Sequence, residues 1–190
     1  MALHQEIVVV SGLPRSGTSL MMQMLDQGGI PALTDHRRTP DVDNPRGYYE
    51  FEAVKRTKHD SSWVADARGK AVKMVSSLLY DLPDTEQYRV IIQSRNFDEM
   101  LDSQEKMLQR LGQPAAPRDA IRRSYEKHLN KLEDWLASQS QIRTLFVSYN
   151  EILDDPQKQI ERLVDFLDGA PSAIKMLEAI DPSLYRNRIK

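Results

Sequence analysis

The residues of this chain best arranged for chemistry lie between Val10 and Leu20. Gly12 and Gly17 frame a short run of Leu13, Pro14, Arg15 and Ser16, and Thr18 and Ser19 follow directly. Glycine lets a backbone come close to a ligand and turn through conformations that other residues avoid. If a helix begins at Thr18, its first-turn N–H groups lack intrahelical partners, and its dipole favours negative charge there. Two hydroxyls and the Arg15 guanidinium add donors of the kind that anionic oxygens accept from. The chemistry implied is capture of a phosphorylated group on residues 15–20. A plain strand–turn–helix connection with incidental glycines has the same spelling, and that reading stays open.

The flanking elements have to hold this loop in place. Ile7, Val8, Val9 and Val10 form a β-branched run that predicts a buried strand. Residues 18–26 put Leu20, Met21, Met24 and Leu25 on one face, which predicts a helix, and Gly28, Gly29 and Pro31 stop it. A nucleotide-triphosphatase loop would carry lysine where Thr18 stands, with magnesium held by the hydroxyl after it. Here the cation sits earlier, at Arg15. The later strands run out into Ser76-Ser77, Ser94-Arg95-Asn96 and Ser148-Tyr149-Asn150, and none ends in a metal-binding Asp. The loop is therefore expected to take phosphate without magnesium, and no metal ligand is expected.

Beyond the loop, residues 34–47 are polar and nearly free of apolar side chains, a long loop of the kind that often carries function. Residues 52–68 predict a mostly polar helix closing near Trp63. Strands are predicted over 71–75, 89–93 and 142–148. A helix over 118–138 carries a stripe of Ile121, Tyr125, Leu129, Leu132 and Leu136, expected to pack on the sheet. Asp155 and Pro156 read as the cap and first residue of another helix. Strands alternating with helices predict an α/β fold: a three-layer αβα arrangement around a mostly parallel central sheet, P-loop NTPase-like, in one domain over residues 1–190. Ligands of such sheets bind beyond the carboxyl ends of the strands, which brings the 12–19 loop and Arg95 to one edge.

Composition narrows the function classes. The 190 residues carry 26 basic and 28 acidic side chains, a formal charge of -2. That balance gives no pull toward nucleic acid or an acidic membrane. There is no cysteine, so no disulfide framework and no thiolate metal site. The first residues lack a basic n-region, and their apolar run is only about four residues, so neither a signal peptide nor a membrane span is predicted. A cytoplasmic location is the expectation; the oligomeric state is not set by the sequence.

The segment from Gly12 to Ser19 resembles the 5′-phosphosulfate-binding loop of the sulfotransferase superfamily, whose donor is 3′-phosphoadenosine-5′-phosphosulfate (PAPS). Soluble members carry Lys at the position of Arg15, and many bacterial and Golgi-type members carry Arg. The run Asn44, Pro45, Arg46, Gly47, Tyr48, Tyr49, Glu50 is similar to a segment found near the acceptor side in bacterial members. That likeness implies Glu50 as the carboxylate taking the acceptor's proton. The competing reading is that Glu50 and Glu52 are helix-start acids favoured by the macrodipole, and His36, with Asp35 beside it, is the rival base. Family members also place an Arg at a strand end and a Ser eight residues on, both on the donor's 3′-phosphate; Arg95 and Ser103 match in type and spacing. Eight helical residues rise about 12 Å, so the Arg95 side chain must reach along the helix to meet Ser103. A surface Arg and a helix-facing Ser remain the plainer reading of that pair.

The resemblance covers most of the chain, including a strand–Tyr149–helix arrangement in the C-terminal half whose family role is structural. It implies donor binding by Pro14, Arg15, Ser16, Gly17, Thr18, Ser19, Arg95 and Ser103, with Arg186 and Arg188 on a basic C-terminal loop; a solvated tail is the alternative for the last two. It further implies metal-free, in-line transfer of a sulfuryl group from PAPS to a hydroxyl or amine of a small-molecule or glycan-like acceptor, with Arg15 and Glu50 catalytic. Two other classes stay open: a kinase-like phosphotransferase with a displaced cation, and a nucleotide-binding protein without transfer activity. The chain is short for the family, which keeps the second of these in play.

Overall fold

Four strands form a single parallel sheet in the computed structural model, which describes residues 3–42 and 44–185. They are β1 (Ile7–Gly12), β2 (Ala71–Val75), β3 (Tyr88–Ser94) and β4 (Ile142–Ser148), in the order β2-β1-β3-β4. The β-branched run makes β1 central, and all six of its residues are buried. Val9 pairs in register with Val72 on one side and Val90 on the other, and Val90 with Thr144. Parallel neighbours need crossover connections, which here cover both faces of the sheet.

Alternation along the strands divides the apolar side chains into two cores. Ile7, Val9, Val72, Met74, Val90 and Ile92 meet Trp63, Leu132 and Leu136 on one face. Val8, Val10, Ala71, Ile91 and Val147 meet Met21, Met24, Leu25, Ile160 and Leu163 on the other. The result is the expected three-layer α/β fold with a parallel sheet. The first core lies under α3 (Arg118–Ser138); the second lies under α1 (Thr18–Gln27), α4 (Tyr149–Asp154), α5 (Pro156–Phe166) and α6 (Ala173–Glu178). None of the described helices is long and apolar enough to cross a membrane.

Helix α2 (Phe97–Arg110) starts where Asn96 accepts hydrogen bonds from the Asp98 and Glu99 N–H groups. Asp155 caps α5 by accepting from Lys158 N–H, with Pro156 in the first turn, as expected. Two expectations differ from the fold. Residues 52–68 form two 3₁₀ helices, Glu52–Arg56 and Ser62–Ala67, instead of one α-helix. Between them Asp60 accepts from Ser62 N–H at 3.1 Å, and the Trp63 indole donates to Thr57 Oγ1 at 3.2 Å. Local side-chain bonds of this kind divert the backbone from a helical ladder. The α3 stripe also splits. Leu132 and Leu136 enter the core. The first half lies along α2 instead, with Tyr125 Oη donating to Gln104 and Arg118 pairing with Asp102 at 2.6 Å.

Candidate functional site

Gly12 ends β1 beside Gln93 of β3, so the loop after β1 and the segment after β3 open on the same edge of the sheet. The loop is tightly specified. A Cβ at Gly12 would come within 2.5 Å of the Gln93 carbonyl oxygen. At Gly17, φ is +97° and a Cβ would lie 2.2 Å from the Tyr149 ring. Arg15 itself takes φ +68°, in the left-handed region. Ser16 N–H closes the turn on the Leu13 carbonyl at 3.2 Å, and its hydroxyl is buried on the inner side of the loop. No side chain caps the N-terminus of α1; Leu20 N–H donates back to the Gly17 carbonyl at 3.0 Å, and the Thr18 and Ser19 N–H groups keep their capacity for an outside acceptor.

A cavity of about 570 Å³ opens in front of this terminus. Pro14, Arg15, Gly17, Thr18, Ser19, Glu50, Arg95 and Ser103 all line it. Ser16 belongs to the loop but not to the cavity wall, because its side chain turns toward Gly12. Arg186 and Arg188 lie outside the described residues. Arg95 shares a rim with the glycine turn: its Nη1 donates to the Arg15 carbonyl at 3.4 Å. Its guanidinium lies 4.8 Å from the Tyr149 ring centroid and 5.6 Å from that of Tyr185, and its Nε donates to Glu99 at 3.2 Å. Glu99 also accepts from Tyr185 Oη at 2.5 Å and from Asn150 Nδ2 at 3.1 Å, so the cation is held on a buried carboxylate. Ser103 meets Arg15 instead of Arg95, accepting from Nε at 2.9 Å. The spacing of Arg95 and Ser103 thus brings both to the cavity without making them partners.

Of the three expected proton acceptors, only Glu50 faces the cavity. It accepts from Arg38 Nη1 at 2.8 Å and lies 3.9 Å from Lys73 Nζ. Asp35 is a loop brace: it accepts from the Glu52 N–H at 2.8 Å, and that bond holds its carboxyl below the usual range. His36 is exposed and off the cavity. Glu52 pairs with Lys55 at 2.8 Å on the surface.

Sequence reasoning missed four cavity cations: Arg38, Lys73, Lys106 and Arg110. Lys73 carried a readable signal, being a lysine between Val72 and Met74 in a strand beside β1. It donates to the Tyr48 carbonyl and lies 3.4 Å from Ser19 Oγ, and burial pushes its ammonium down to about 8. The Arg38 guanidinium stacks 3.4 Å over the Tyr48 ring. Asn44 donates to Ser19 Oγ at 2.7 Å, fixing the 34–47 loop over the α1 terminus. Burial lowers the Arg15 pKa, and repulsion from Arg95, Arg110 and Arg38 adds to the shift. Among the described residues, six cationic side chains line the cavity against two carboxylates, Glu50 and Asp181, in a chain of net charge -2. Such a wall concentrates positive potential on a small polyanion.

Residues 5–187 match the model of the sulfotransferase domain family. Among solved structures, the chain is similar to the sulfotransferase domain from the curacin biosynthetic pathway. That match has a TM-score of 0.58 and 14% identity, covering 93% of this chain and 78% of that one. A sulfotransferase from Alicyclobacillus acidocaldarius matches at a TM-score of 0.48 and 16% identity over 94% of this chain and 87% of that one. An unliganded sugar kinase from a Janibacter species matches at 0.45 and 15% identity, over 89% and 98%. A search of the curated proteins finds no match.

Proposed function

As the chain belongs to the sulfotransferase domain family, we propose that it is an enzyme that moves a sulfuryl group from PAPS to a hydroxyl or amine of a small-molecule or glycan-like acceptor. The observation that carries this reading is the convergence of Arg15, Lys73 and Arg95 on the uncapped terminus of α1. The residues fit a nucleotide with phosphates at both ends of its ribose. The first-turn N–H groups and the Thr18 hydroxyl suit the 5′ end, and the donors that Arg95 keeps beyond Glu99 suit the 3′-phosphate. Ser19 Oγ already accepts from Asn44, which leaves its own proton to donate outward. Pro14 and Gly17 shape the turn, Ser16 braces it from inside, and Arg186 and Arg188 are proposed to add charge from the C-terminal segment.

Bound PAPS supplies the sulfuryl group and the leaving phosphate. The work of the chain is electrostatic and positional. Arg15, oriented by Ser103, offers a fixed cation where negative charge grows as the sulfur–oxygen bond breaks, the type of preorganised help that usually contributes most. Lys73 lies between that region and Glu50 and shares the task. Glu50 takes the acceptor's proton, with Arg38 holding its carboxylate in the cavity wall. The test is transfer of radiolabelled sulfuryl groups from PAPS to a panel of phenols, alcohols, amines and oligosaccharides. Wild type labels at least one acceptor, and Arg15→Ala, which removes the cation, is expected to lose transfer by at least about a hundredfold. A fully active Arg15→Ala variant would overturn the role given to Arg15.

A further inference from the structure

Three buried polar atoms lie unpaired beneath the Gly12–Ser19 loop. Gln93 is 2% exposed and Ser16 is 1% exposed. Among the described residues, neither amide atom of Gln93 nor the Ser16 hydroxyl has a hydrogen-bond partner. A buried amide left unpaired is costly, and native proteins seldom keep one without a use for it. Ser11 Oγ is unpartnered as well, but Ser11 registers with Met74 and Ile92 of the α3-side core, on the other face of the sheet.

Register and alternation put Gln93 and Ser16 on one side of the sheet. Gln93 pairs with Gly12 of β1 and with Val147 of β4. Two residues earlier Val10 pairs with Ile91, and Val10, Ile91 and Val147 all belong to the core under α1. The Gln93 side chain therefore lies on the α1 face, beneath the loop. A Cβ on Gly12 would meet the Gln93 carbonyl oxygen at 2.5 Å and Ser16 Oγ at 2.6 Å, which places the hydroxyl over the end of β3. The residue before Ser16, Arg15, is held at φ +68°, a conformation that side chains rarely allow. The free loop thus carries backbone strain and unpaired groups together.

We propose that Gln93 is a positioning residue for the donor: when the 5′-phosphate seats on the α1 terminus, the Ser16 hydroxyl donates to the Gln93 amide oxygen and locks the loop from beneath. This rests on the donor reading above, because the lock needs a 5′-phosphate on the loop. The bond is made in the loaded state alone, so its gain appears as affinity for the 5′-phosphate, while the free protein carries the cost of the unpaired groups. Gln93 does not line the cavity and touches no ligand. It acts through Ser16 on the adjoining Gly17 and Thr18 N–H groups.

The test compares wild type, Gln93→Met, Ser16→Ala and the double variant by calorimetry with 3′,5′-bisphosphoadenosine and adenosine 3′-monophosphate, which differ only in the 5′-phosphate. Methionine matches glutamine in length and removes the amide. Each single variant is expected to lose about tenfold in affinity for the bisphosphate and to hold the 3′-monophosphate within about twofold of wild type. The double variant is expected to lose no more than either single one, because both remove the same bond. Denaturant unfolding of the free protein reads the other state: the Gln93→Met midpoint is expected to be unchanged or higher. Unchanged bisphosphate affinity in Gln93→Met, equal weakening of both ligands, or losses that multiply in the double variant overturn the proposal. A destabilised free Gln93→Met protein, or one that fails to fold, overturns it too, since the amide would then serve the fold itself. Wild type that does not bind the bisphosphate, or binds it no better than the 3′-monophosphate, is a different result and refutes the donor reading.

Discussion

Lys73 gives a prediction that follows directly from where it sits. Its side chain is only 13% exposed, and burial lowers its pKa from 10.5 to about 8. An anionic donor beside Ser19 favours the charged ammonium, so bound nucleotide raises that pKa and free protein gives up the proton first. The sign follows from linkage. Below about pH 8 the ammonium is already present and affinity is flat; above it, binding must take up a proton and weakens with rising pH. Between about pH 7 and about pH 9 the charged fraction falls from roughly nine-tenths to roughly one-tenth, so affinity for 3′,5′-bisphosphoadenosine drops about tenfold. Calorimetry over that window, in two buffers of different ionisation enthalpy, reads the affinity and the proton uptake together. Near pH 8 the uptake is expected to be about half a proton per site. In Lys73→Met both effects vanish while binding becomes uniformly weaker. A wild-type affinity that stays flat across the window refutes the reasoning, and so does an equal decline in Lys73→Met, which would assign the titration to another group.

Three further outcomes follow from the same geometry. Glu50→Gln keeps the carbonyl that Arg38 bonds but cannot take a proton; transfer is expected to slow about a hundredfold with nucleotide affinity within twofold, and an unchanged turnover would remove Glu50 as the base. Glu99→Ala leaves the Arg95 guanidinium buried without its carboxylate, and denaturant unfolding is expected to show a loss of about 3 kcal/mol; a loss under about half a kcal/mol would mean that the pair is not what holds Arg95. Gly17→Ala forces an L side chain into φ +97° and onto the Tyr149 ring, at a cost of about 2–4 kcal/mol that the additional substitution Tyr149→Ala should partly relieve, whereas equal losses with and without that second change would show that the ring contact is irrelevant.

The sequence is most legible where structure is local. The β-branched run 7–10, the glycine pair and the Met/Leu stripe of α1 each carry their own backbone or packing preference, so strand, loop and helix follow from a dozen residues. Asp155 and Pro156 work the same way. Residues 52–68 are less readable because Thr57, Asp60 and Trp63 form side-chain bonds that compete with a helix, and polar composition alone does not distinguish the two outcomes. That Arg95 and the glycine turn share one edge was readable through the rule that places binding sites of parallel sheets beyond the carboxyl ends of their strands. Partners are another matter. That Ser103 meets Arg15, or that Glu99 gathers Arg95, Tyr185 and Asn150, depends on side-chain directions across elements far apart in the chain. Lys73 stands out as a lysine between apolar residues of an edge strand, but its approach to Ser19 and to the Tyr48 carbonyl joins elements far apart in the chain.

The proposed activity depends on a nucleotide held at both ends of its ribose. Calorimetry of the wild-type chain with 3′,5′-bisphosphoadenosine, adenosine 5′-monophosphate and magnesium-ATP tests this most directly. The 3′-phosphate on Arg95 is expected to make the bisphosphate bind about a hundredfold more tightly than the monophosphate, with magnesium-ATP weaker than the bisphosphate. Equal affinity for mono- and bisphosphate, or a preference for magnesium-ATP, would contradict it.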